Sequence, residues 1–115
     1  ERHGLGITYE ILEEFAATSN TDTCVNMIVD AADRNTLTCR PIEVPFRAGE
    51  DFGQLISRYK GAIFGLGAGI DMPQLHNPDY DFPDSIMPAG IAMFSDLVDM
   101  ALEGYGDNIV TAQSG

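Results

Sequence analysis

Between Lys60 and Gly90 the chain reads KGAIFGLGAGIDMPQLHNPDYDFPDSIMPAG, and this stretch limits the possible folds more than any other. Ala62-Ile63-Phe64-Gly65-Leu66 is a short apolar run bounded by glycines, with the length and punctuation of a buried strand. A Gly-Ala-Gly turn follows, then a polar loop carrying His76, then a helix announced by Ser85 and Pro88. An imidazole in a loop at the end of a buried strand stands where open α/β sheets place their ligands. From placement alone, the alternative is a surface-loop histidine without a role.

The rest of the chain alternates strand and helix patterns. Ile7-Thr8-Tyr9-Glu10-Ile11 alternates apolar and polar residues, as a half-buried strand does, and the segment runs on through Leu12 to Phe15 with Glu13 and Glu14 interrupting the pattern. Ser19-Asn20-Thr21-Asp22 is a cluster of helix N-cap residues. Behind it Cys24, Met27, Ile28 and Ala31 fall at helical spacing, which predicts a helix from about Asp22 to Asp33 with these side chains in the core. Asn35 can close that helix in the left-handed conformation. Leu37 to Phe46 reads as extended, restricted by Pro41 and Pro45 to an edge or a broken strand. Phe52, Leu55, Ile56 and Tyr59 mark one face of a short helix, with Asp51 as its N-cap and Glu50 suited to the positive end of its dipole. After the buried strand and the loop, Ile91, Phe94, Leu97, Val98, Ala101 and Leu102 repeat at three and four residues along a helix that Gly104 ends. The tail from Tyr105 is small, polar and weakly patterned, and is expected to be partly mobile. Strand, helix, strand, helix, strand, helix is an α/β rhythm, although three strands make a thin sheet.

Composition narrows the partners. The 115 residues allow one domain at most, and a hydrophobic share of 44% with 21% charged residues is ordinary for a globular protein. The net charge of −12 argues against nucleic acid or an anionic membrane as partner, because both call for clustered Lys and Arg. No run reaches the roughly 18 to 20 apolar residues that a membrane span needs, and no signal-peptide pattern is visible. The chain starts at Glu1, so processing or excision is expected, and targeting information of a parent protein would then be missing. Cys24 and Cys39 fit no metal motif and are read by default as two buried thiols of a reducing cytoplasm, with a disulfide as the alternative.

Three motifs occur in a fixed order: Gly49-Glu50-Asp51-Phe52, then Gly65-Leu66-Gly67-Ala68-Gly69, then Leu75-His76-Asn77-Pro78-Asp79-Tyr80-Asp81-Phe82. Order and spacing from Gly49 to about Ala101 resemble the zinc-type amidohydrolases that include aminoacylases, hippurate hydrolases and related carboxypeptidases, metallopeptidase family twenty. A weaker likeness reaches back towards Ile7. The resemblance implies the C-terminal part of an α/β catalytic domain, an open twisted sheet flanked by helices. It also implies that residues 1–18 are the last strand of a lid or dimerisation domain, residues 19–104 part of the catalytic domain, and residues 105–115 a tail.

For the intact parent the resemblance implies a homodimeric enzyme with two divalent metal ions, zinc by default and manganese as the alternative. It would cleave the amide bond of N-acyl amino acids or small peptides through metal-activated water. His76 would be the last metal ligand, with Asn77 beside it and Pro78 stiffening the loop. Glu50 would lie at the active-site rim in contact with substrate or with the loop, against the alternative of dipole pairing; for Asp51 the capping role is preferred. Arg47-Ala48 departs from the small or Met-Gly type run usual before Gly49, which leaves substrate contacts from this side open.

The family's other ligands and its Glu-Glu pair, whose first member is the general base, are absent here. Glu13-Glu14 falls where the lid strand should end and is not that pair. No catalytic residue is therefore expected within the chain, and the chain alone is expected to be inactive. Gly65, Gly67 and Gly69 are no dinucleotide fingerprint, since no helix starts directly behind them; close backbone approach near the loop is the better account. His3 is read as unimportant. The competing function is a non-catalytic binding or interaction module that keeps the scaffold without the chemistry.

Overall fold

The computed structural model describes residues 4, 6–12, 14–46 and 50–106. Its elements are α1 (Asp22–Arg34), α2 (Phe52–Ile56), a 3-10 turn (Asp84–Ile86) and α3 (Met87–Leu102). The core is the seam between α1 and α3. Ile28, Ala31 and Ala32 on α1 meet Met93 and Met100 on α3, and Met27, Leu37, Ala62, Phe64, Leu97 and Tyr105 pack around them. Ala31 is fully buried, and so small a side chain lets the two helices approach closely. Fully burying a side chain the size of Met100 is worth about 1.5–3 kcal/mol.

Helix α1 forms where the spacing predicts it, with Asp22 in its first turn and Arg34 in its last, both favourable to the helix dipole. Its ends differ from expectation. Thr21 is the N-cap residue but makes no side-chain cap bond, because Asn20 and Thr21 are turned towards the segment after α2. Asn35 is not left-handed (φ −91°). That conformation falls on Thr36 (φ 57°), and the N–H groups of Thr36 and Leu37 donate to the carbonyls of Asp33 and Ala32 at 3.0 and 2.9 Å. This is the paired-bond closure of a helix C-terminus, with Leu37 supplying its apolar contact. Asn35 instead uses its side-chain amide, which donates to the Ala31 carbonyl at 2.8 Å and to Asp96 Oδ2 on α3 at 2.6 Å.

The same closure ends α3: Gly104 (φ 79°) is left-handed, and the Gly104 and Tyr105 N–H groups donate to Ala101 and Met100 at 3.2 and 3.0 Å. Tyr105 then donates its hydroxyl hydrogen to Asp30 on α1. Residues 107–115, most of the expected tail, lie outside the described residues.

No strand occurs among the described residues, so the sheet expected of an α/β fold is not present in this structure. Ile7–Ile11, Leu37–Phe46 and Ala62–Leu66 run without forming a ladder with one another. The physical reason is that strand patterns encode a preference for one face, whereas a strand exists only when a neighbour accepts its backbone hydrogen bonds. Apart from Leu37, which packs against the core, the apolar side chains of the first two segments remain uncovered: Ile7, Tyr9, Ile11, Ile42, Val44 and Phe46 are all exposed. The radius of gyration, 18.8 Å, exceeds the roughly 13 Å of a compact domain of this length.

Three further expectations are corrected. Cys39 is exposed rather than buried, because its segment has no covering layer; Cys24 is buried as expected. Asp51 precedes α2 in helical conformation and forms no side-chain cap bond; its backbone carbonyl accepts the Gln54 N–H at 2.9 Å instead. The 19 residues Asp84–Leu102, with mean hydropathy 1.3, are by length and composition apolar enough to cross a membrane, contrary to the sequence reading. Of helix α3 only Met93 and Met100 are buried, against α1, while Ile91, Phe94, Val98 and Leu102 are exposed and Asp96 is held by Asn35.

Candidate functional site

The loop between Gly69 and Pro83 is shaped by two successive turns. The Asn77 N–H donates to the Gln74 carbonyl at 3.0 Å, and the Tyr80 N–H donates to the Asn77 carbonyl at 3.0 Å. His76 occupies the third position of the first turn with φ 73°, the left-handed value that such a position takes in a type II turn and that glycine or asparagine normally supplies. A non-glycine residue held there costs about 1–3 kcal/mol of local strain. Pro78 is the second residue of the next turn, where its fixed φ is already suitable. The imidazole stands exposed at the corner between the two turns.

Asn77 serves this corner through its backbone, as donor to Gln74 and acceptor from Tyr80. Its exposed side chain has no hydrogen-bond partner among the described residues. Glu50 is exposed just ahead of α2, on a different element. No hydrogen bond among the described residues joins Glu50, Asn77 and His76 into one cluster. Gln74 is what sequence reasoning missed. Its carbonyl closes the histidine turn, and the signal was the four-residue register Gln74-Leu75-His76-Asn77 running directly into Asn77-Pro78.

The glycines preceding the loop have a different role from the one expected. A Cβ on Gly65 or Gly67 would meet no atom within 4 Å, so close approach does not explain them here. Gly69 is required for its backbone, with φ 116° at the start of the loop. The close approach in this stretch is at Gly61, where a Cβ would lie 2.8 Å from Ile56 Cγ2, whereas one on Gly90 would meet Leu66 Cδ2 at an ordinary 3.4 Å. Phe64 and Phe94 stack at a tilt with centroids 5.7 Å apart. These two contacts fix the run before the loop against α3.

The other fastening is polar. Asn20 Nδ2 donates to the Ile63 carbonyl at 3.0 Å, and the Ile63 N–H donates to Asn20 Oδ1 at 3.0 Å. Beside them the Thr21 N–H donates to the Gly61 carbonyl at 2.8 Å, and the Gly61 N–H donates to Thr21 Oγ1 at 3.3 Å. Residues read as helix caps thus hold the run that leads into the histidine loop.

As donor chemistry, one exposed imidazole on a constrained turn suits a divalent metal ligand. Among the described residues no group of three or more His, Cys, Asp or Glu side chains is arranged to hold a metal ion. His76 therefore fits as a single ligand and not as a complete site.

Comparison with known proteins gives the same family as the motifs. The chain is 36% identical over 56 residues to N-acetyldiaminopimelate deacetylase of Streptococcus suis strain 05ZYH33, and equally to that of strain 98HAH33. The matched region is 49% of this chain and only 15% of each relative. No solved structure matches. The sequence profile of peptidase family M20/M25/M40 matches residues 6–100, from the first extended segment almost to the end of α3. The chain belongs to peptidase family M20/M25/M40.

Proposed function

We propose that the chain is the C-terminal part of a metal-dependent amidohydrolase that removes acyl groups from N-acyl amino acids or cleaves small peptides. The observation that carries this reading is His76, the one histidine of the matched motif, presented outward at the corner of two hydrogen-bonded turns. The family match across residues 6–100 supports the scaffold, and the deacetylase name of the matching relatives supports an N-acyl substrate. The remaining ligands and the general base would come from parts of the parent outside these 115 residues, so the chain alone would be inactive. In the parent, the segments at Ile7–Ile11 and Ala62–Leu66 would enter sheets, the first in a lid that forms the dimer. The free thiols of Cys24 and Cys39 suit the cytoplasm.

In this reading His76 holds one divalent ion, zinc or manganese, which supplies Lewis-acid activation when bound. Asn77 fixes the turn through its backbone, and Glu50 approaches the substrate or the loop from the segment ahead of α2.

The test is amide hydrolysis by the full-length product on a panel of N-acyl amino acids, with and without added zinc or manganese, beside His76→Gly. Glycine keeps the left-handed turn and removes only the imidazole. Metal-dependent turnover that falls by orders of magnitude in the variant is expected. Turnover indifferent to His76 rejects the ligand role. No turnover on any substrate favours a binding module on the same scaffold.

A further inference from the structure

We draw no further inference here: the strongest candidate, the uncovered apolar groove on α3 lined by Met87, Gly90, Ile91, Phe94, Ser95 and Val98, carries none, because nothing in the structure shows what covers it.

Discussion

Asn20 and Ile63, 43 positions apart, are joined by two hydrogen bonds of 3.0 Å in which a side-chain amide takes the place of a neighbouring strand. The amide matches the donor–acceptor pair of an extended residue, so a single asparagine does the work of a short ladder. Both bonds are solvent-exposed, and each has the modest net value of such bonds.

Asn20→Ala removes both bonds and should lower stability by about 1 kcal/mol. Urea unfolding should show an earlier midpoint at unchanged slope. An unchanged midpoint would mean that the clamp contributes nothing. Asn20→Asp keeps the acceptor for the Ile63 N–H but sets a carboxylate against the Ile63 carbonyl, and should be no better than alanine.

Gly53 tolerates no side chain. A Cβ there would lie 2.1 Å from the Ala16 carbonyl oxygen and 2.8 Å from its carbon, both backbone atoms. Gly53→Ala should cost about 1–3 kcal/mol by forcing the two segments apart, against the small gain alanine normally brings within a helix. Thermal unfolding of the variant checks the sign.

Thr36 carries a β-branched side chain at φ 57° on an exposed helix end. Thr36→Gly should stabilise the chain by about 1 kcal/mol, because the relieved strain exceeds the added freedom of the unfolded backbone. The midpoint of urea unfolding should rise; a fall would show that the threonine side chain has a compensating contact.

Alkaline pH should destabilise the fold. Burial raises the Cys24 thiol above its ordinary 9.0, against a smaller opposing pull from Lys60. The hydrogen bond to Asp30, followed by desolvation and the Asp30 charge, raises Tyr105 above its ordinary 10.0. In both groups the folded state favours the protonated form, so their contribution is complete below the unfolded values and is lost as pH rises through the folded ones. Stability should therefore be flat near neutrality and fall above about pH 9. Cys24→Ala with Tyr105→Phe should flatten that decline. At neutral pH a thiol reagent should label exposed Cys39 quickly and Cys24 only on unfolding.

The helices were legible in the sequence because their signals are local. Cys24, Ile28 and Ala31 define α1 by spacing alone, and Gly104 stops α3 where a left-handed residue is needed. Strands were not legible in the same way. Ile7 to Ile11 has a proper alternation yet pairs with nothing described, since a ladder depends on residues far away in sequence or outside it. Asn20 shows the same limit in a polar residue: the composition of a helix cap does not reveal that a distant backbone competes for the side chain. At the loop, His76 was singled out by its motif, whereas its left-handed turn was hidden, because histidine is not the residue that signals a positive φ.

The crossing of Ala16 over Gly53 leaves no room for even a methyl group between the two backbones. Any side chain at position 53 would push the Ala16 backbone off the helix, so the seating of this segment on α2 is set by the absence of a single side chain.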